Sequence, residues 1–197
     1  MRRGLISVAI FVAFAAIFTL SRHPTATTTT LAPTTTTSVR SSTPTTAGAT
    51  TAATCTGNEF TGTFNEGQGA AGTVYASITL TKSAAGTCTV DGWPTLTLQD
   101  QTGGLLPIKL AEVPSSGNAV QFLIAKANKA PTLLTLRQGS STNFSLAYSQ
   151  VPTGTTTCES AVTISVQFAK NQASVAVTPS YPITPCDGGK IWVSPFY

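Results

Sequence analysis

From Cys55 onward, apolar and polar residues alternate with a period of two. Val74, Ala76, Ile78 and Leu80 share one side of a run whose other side is Tyr75, Ser77 and Thr79. Phe144, Leu146 and Tyr148 alternate with Asn143, Ser145 and Ala147, and Val162, Ile164, Val166 and Phe168 with Thr163, Ser165 and Gln167. A period of two with one greasy side predicts strands half-buried in antiparallel sheets. Shorter candidates are Thr95–Gln99, Leu105–Leu110, Ala119–Lys126, Thr132–Arg137 and Ser174–Thr178. Breakers such as Gly103-Gly104, Pro114-Ser115-Ser116-Gly117 and Pro152-Thr153-Gly154 separate them. No helical period follows Leu20. About eight or nine short strands with frequent turns predict an all-β domain, an antiparallel β-sandwich. It is immunoglobulin-like only in the loose sense, because the Cys…Trp…Cys spacing of antibody domains is missing.

Two different patterns precede this domain. Gly4 to Leu20 is an apolar run without a charge, behind Arg2 and Arg3 and ahead of Arg22. As a helix it would span about 26 Å, enough for a hydrocarbon core, and the arginines would hold its start in the cytoplasm. Residues 1–22 therefore read as a signal-anchor that leaves the rest outside, or as a signal peptide. The run is long for a signal core, and its only Ala-x-Ala match, Ala13-Phe14-Ala15, lies inside it. Residues 23–54 are low in complexity: Thr25 to Thr54 holds fifteen threonines, three serines and two prolines. Such a chain buries too little apolar surface to offset the entropy of ordering. It reads as a disordered stalk, O-glycosylated or bare, reaching roughly 90 Å if extended at about 3.1 Å per residue.

Composition then narrows the chemistry. The sequence pI of about 9.0 misleads, since Arg2, Arg3, Arg22 and Arg40 all precede the domain. Residues 55–197 carry seven Lys and Arg against seven Asp and Glu. A near-neutral domain gives counterion release nothing to act on, so nucleic acid is not an expected partner. The only histidine is His23 and the only methionine is Met1. The domain thus lacks the imidazole of Ser-His-Asp and Cys-His catalysis and of usual zinc sites, and the thioether of copper capture. No metal and no cofactor is expected. Asp91 and Asp100 flank one strand candidate but read as turn residues, Asp91-Gly92 and Asp100 before Gly103-Gly104. The sequon Asn143-Phe144-Ser145 falls inside a strand and reads as coincidence.

Every cysteine lies in the domain: Cys55, Cys88, Cys158 and Cys186. An even count in an exported chain implies two structural disulfides. Three pairings are open. Proximity favours Cys55 with Cys88 and Cys158 with Cys186, each contributing roughly 3.5–4 kcal/mol in the chain-entropy account. No Cys-x-x-Cys pair is present to suggest redox or metal chemistry.

The order of these landmarks carries a resemblance. Cys55 opens the domain; Val74 to Leu80 leads to Gly86-Thr87-Cys88-Thr89-Val90-Asp91-Gly92-Trp93-Pro94; and the chain closes on Cys186-Asp187-Gly188-Gly189 and Trp192-Val193-Ser194-Pro195. This resembles the actinobacterial exported family of domain of unknown function 4232. The resemblance implies export, a β-sandwich and no known activity. It departs from the family's pattern in lacking a lipid-attached cysteine, with the apolar run as a helical anchor in its stead.

Trp93, Trp192 and Tyr197 are the candidates for a binding patch, through large amphipathic rings. The competing reading places Trp93 as an aromatic plug at a sandwich end and Trp192, between Ile191 and Val193, in a last strand. The expected function is therefore non-enzymatic: a disulfide-stabilised domain displayed outside the membrane for binding or structural duty, its partner a protein or an envelope glycan. The alternatives are a carboxylate-dependent hydrolase of cell-wall polysaccharide, and an inhibitor or chaperone of an exported protein.

Overall fold

The computed structural model describes residues 52–114 and 120–197. The expected helix over 1–22 and the expected stalk lie outside them, apart from the stalk's last three residues. In chain order the strands are β1 (Ala53–Thr54), β2 (Phe60–Ala70), β3 (Thr73–Lys82), β4 (Thr87–Val90), β5 (Thr95–Gln99), β6 (Leu105–Leu106), β7 (Lys109–Glu112), β8 (Leu134–Arg137), β9 (Ser141–Ser149), β10 (Thr163–Gln167), β11 (Val175–Val177) and β12 (Lys190–Val193). Helical structure among the described residues is limited to two 3-10 turns, Gly57–Glu59 and Ala125–Asn128. The domain is all-β, as the period of two predicts.

Three sheets form, ordered β2-β3-β9-β12-β7, β11-β10-β5-β6 and β1-β4-β8. They share one core. Ile78, Leu80, Phe144, Leu146, Ile191 and Val193 meet Leu96, Leu98, Ile164, Val166, Val175 and Val177, with Cys88, Val90 and Leu136 from the third sheet. Each such side chain is worth about 1.5–3 kcal/mol on burial. Aromatic rings run through the middle: Phe60 on Phe168 at 4.5 Å, Phe168 on Phe196 at 5.3 Å and Phe196 on Phe144 at 5.8 Å. Lys82 extends the buried side of β3 beyond Ile78 and Leu80. Its Nζ donates to Glu59 Oε1 at 3.0 Å and lies 5.5 Å from the Phe60 ring centroid.

The structure revises the sequence reading at four places. The antiparallel rule has exceptions, because β1–β4 and β7–β12 run parallel. The run Leu105–Leu110 is not one strand: β6 belongs to the four-stranded sheet and β7 to the five-stranded one. Pro107 lacks the N–H that a continuous ladder needs, so the chain changes sheets there. Gly189 closes against this crossing, where a Cβ would meet the Pro107 carbonyl oxygen at 2.1 Å.

Ala119–Lys126 is not a strand among its described residues. The Asn128 side chain takes the place of a strand partner: its Oδ1 accepts the Phe122 N–H at 2.7 Å and its Nδ2 donates to Phe122 O at 2.8 Å. Finally, β1 falls within the stretch read as stalk, so ordered chain begins ahead of Cys55. Its register on β4 sets Ala53 opposite Cys88 and Thr54 opposite Thr89.

Besides β1, the sequence reading also lacks the short β4 and, the longest omission, β2. Gly62, Gly67 and Gly69 interrupt it, and only Phe60 and Phe64 are large and apolar. Its register on β3 shifts between Asn65 and Gln68. Gly67 makes this bulge feasible, since a Cβ there would sit 2.1 Å from Tyr75 O.

Candidate functional site

The five-stranded sheet is apolar on both faces. Outward from β3, β9 and β12 point Tyr75, Ala147 and Trp192, and over them pack Val113, Val120, Phe122, Ala127 and Tyr197. The segment Val120–Asn128 thus lies as a strap across the sheet, pinned by Asn128. Phe122 and Ala127 turn inward and are buried, while Leu123 and Ile124 remain 70 % and 43 % exposed. Beside them a cleft of about 140 Å³ opens between the strap and β3, lined in part by Tyr75, Ser77 and Ser145.

Two of the three predicted patch residues meet here. Trp192 and Tyr197 pack on the same cluster. The Lys190 ammonium lies 4.6 Å from the Trp192 ring centroid, a cation–π arrangement that holds the lysine stem over the indole. Tyr197 is anchored on both ends: its backbone exchanges two 2.9 Å hydrogen bonds with Asn143, and its hydroxyl bonds Ser145 Oγ at 2.9 Å. Burial pushes the Tyr197 hydroxyl above the ordinary tyrosine range, and the Ser145 contact pulls the other way. Trp93 does not join them. It packs against the main core, and its Nε1–H donates to the backbone oxygen of Val113, a residue of the strap's cluster, at 3.0 Å. All three rings are half-buried. The exposed apolar surface belongs instead to Leu123 and Ile124. Those two lie in the stretch Ala119–Lys126 that alternation predicts as a strand; the signal that separates them is Asn128, a side chain that competes for backbone groups.

The cysteines pair as proximity favours. Cys55–Cys88, with Cα atoms 4.9 Å apart, is buried and fastens the segment after β1 to β4. Cys158–Cys186, at 4.2 Å, ties the loop after β9 to the turn before β12. Among the described residues no cysteine is free.

Glu59, Asp91, Asp100 and Asp187 each engage partners of their own. Glu59 takes Lys82 and the Thr56 N–H, and its carboxyl is held below the ordinary 4.5 by the Lys82 hydrogen bond first and Thr56 second. Asp91 accepts from Gly92 N. Asp100 accepts from Thr102 N, Thr102 Oγ1 and Gly104 N at 2.7–2.8 Å, which lowers its pKa, the Thr102 hydroxyl most. These are the turn roles that Asp-Gly and Asp-x-x-Gly-Gly predict. Glu159 and Asp187 flank the second disulfide, with Asp187 accepting from Thr153 N and Oγ1. Asn143 of the sequon accepts from Thr79 Oγ1 within the sheet, and the next two residues are buried. Among the described residues no group of three or more His, Cys, Asp or Glu gathers as a metal set.

No curated protein and no solved structure matches the chain. A family model does, over residues 55–197, which is the whole disulfide-bonded domain from its first cysteine. With that match spanning most of the chain, and with the paired cysteines and all-β fold in place, the protein belongs to the family described as Domain of unknown function (DUF4232).

Proposed function

We propose that this chain is a non-enzymatic extracytoplasmic protein, its β-sandwich displayed beyond the membrane on the threonine-rich stalk and used for binding. The observation that carries the reading is the pair of disulfides with no free cysteine among the described residues. Such bridges persist in oxidising compartments and are rare in the cytosol. The apolar run and stalk of residues 1–54 supply the tether in this reading. The strap supplies the contact surface: Leu123 and Ile124 present apolar area, with Trp192, Tyr197 and Tyr75 packed close beneath.

A membrane-impermeant biotinylation reagent applied to intact cells tests the placement. The lysines of the domain should be labelled without lysis; labelling only after lysis would sink the reading. A second reading, the carboxylate hydrolase, finds its support at Glu159 and Asp187, which the second disulfide holds in one neighbourhood beside a cleft lined by Glu159 and Gly189. Turnover of cell-wall polysaccharide that Glu159→Gln abolishes would establish it.

A further inference from the structure

The bulge in β2 shapes a second cleft, on the core side of the β2–β3 edge, of about 250 Å³. Phe64, Glu66, Tyr148, Gln150 and Tyr181 line it. Tyr148 is 3 % exposed, yet its hydroxyl has no hydrogen-bond partner among the described residues. A buried phenol normally finds one. Among the described residues the one sealed side-chain atom without a partner is Gln172 Oε1, so the Tyr148 hydroxyl is open to the cleft. The Glu66 carboxylate likewise makes no ion pair or hydrogen bond among the described residues. Tyr181 offers a ring that is 75 % exposed.

We propose that this cleft is a saccharide-binding site, in which Glu66 and Tyr148 hold vicinal hydroxyls of a neutral sugar and Tyr181 covers its C–H face. A carboxylate only accepts hydrogen bonds, whereas a neutral phenol donates and accepts; together they suit a group that does both, as a sugar hydroxyl does. No lysine or arginine lines the cleft, so an anion would meet only Glu66 repulsion. A cation would find one exposed carboxylate, which holds an ion weakly. The volume lies just under the roughly 300–1,000 Å³ of drug-sized ligand sites, which fits one sugar unit of a longer chain. Burial, and then the Glu66 charge, push the Tyr148 hydroxyl up to about 12, so it keeps its proton at physiological pH.

The inference deepens the display reading by naming a ligand class and a site, and rests on it only for access to glycan. Saturation-transfer NMR on the full chain, with neutral di- and trisaccharides of glucose, galactose, mannose and N-acetylglucosamine at millimolar concentration, tests it without reference to cell location. At least one probe should receive saturation from the protein. Gly69→Ile should abolish that transfer: Gly69 lines the cleft, pairs with Val74, and a Cβ there meets nothing nearer than Thr73 O at 4.0 Å. Tyr148→Phe should weaken it about tenfold, the factor that corresponds to one net hydrogen bond. Unchanged thermal unfolding of Gly69→Ile keeps a failed fold from imitating the result. Silence from every saccharide, or transfer that survives in folded Gly69→Ile, overturns the proposal. So does selective binding of a dilysine probe that Glu66→Gln removes.

Discussion

The two faces of the five-stranded sheet solve the same problem by different means. On the inner face, neighbouring strands meet another sheet, and rings from Phe60, Phe144, Phe168 and Phe196 fill the gap. On the outer face no second sheet arrives among the described residues. A strap held by a single asparagine covers Tyr75, Ala147 and Trp192 and leaves Leu123 and Ile124 in water. The inner face is sealed by the fold's own geometry; the outer face depends on a strap that leaves part of its own apolar surface exposed. A sheet greasy on one side needs one covering layer, whereas one greasy on both sides needs a second, and here the second is incomplete, which is the basis of the proposed contact surface.

Breaking the inner face should cost most. Phe196→Ala removes the ring that joins Phe168 to Phe144, and urea unfolding should report a loss of about 3–5 kcal/mol. The Lys82–Glu59 pair at the rim of that face sharpens the point through its asymmetry. Glu59→Gln strands a buried ammonium and should also cost about 3–5 kcal/mol. Lys82→Met frees a carboxylate that already reaches water, its side chain 30 % exposed, and should cost roughly 1 kcal/mol. A reversed order would move the weight of the pair onto Glu59.

Acid provides an independent reading of the same pair. The native Glu59 carboxyl binds its proton less readily than in the unfolded chain. Its contribution is therefore full above the ordinary value of 4.5 and disappears as pH falls through the lowered native value. The stability gap between the natural chain and Glu59→Gln should shrink over that window in pH-dependent urea unfolding.

The outer face should yield smaller numbers. Asn128→Ala frees the Phe122 N–H and C=O, and a loss of about 1–2 kcal/mol is expected, with faster hydrogen exchange at Phe122. Leu123→Ser should change stability by no more than about 0.5 kcal/mol while reducing recovery of crosslinked partners from intact cells. Equal destabilisation by Asn128→Ala and Phe196→Ala would erase the distinction between the faces.

The legible part of this molecule is the part governed by local alternation. β3, β9 and β10 stand where the period of two places them, and β5 coincides with Thr95–Gln99. What escaped depends on partners far away in sequence. β2 does not stand out as a strand because Gly62 and Gly67 interrupt its alternation, where Val177 and Tyr75 approach too closely for any side chain. The strap reads as strand because Val120, Phe122 and Ile124 alternate, and Asn128 overrides that alternation. Leu105–Leu110 reads as one strand despite Pro107, whose missing N–H marks the change of sheet. Trp192 and Tyr197 were legible as a pair of large rings near the C-terminal end. That Trp192 shares a face with Tyr75 follows from register, since both pair with Ala147; Tyr197 and Trp93 lie outside the strands and are placed by packing alone.

Disulfide mapping by mass spectrometry, on protein taken from its own cells into alkylating reagent, bears most directly on the whole account. It should return Cys55 linked to Cys88 and Cys158 linked to Cys186, with no alkylated cysteine. Alkylated thiols at these positions would put the domain in a reducing space and contradict the reading of an exported, tethered binding module.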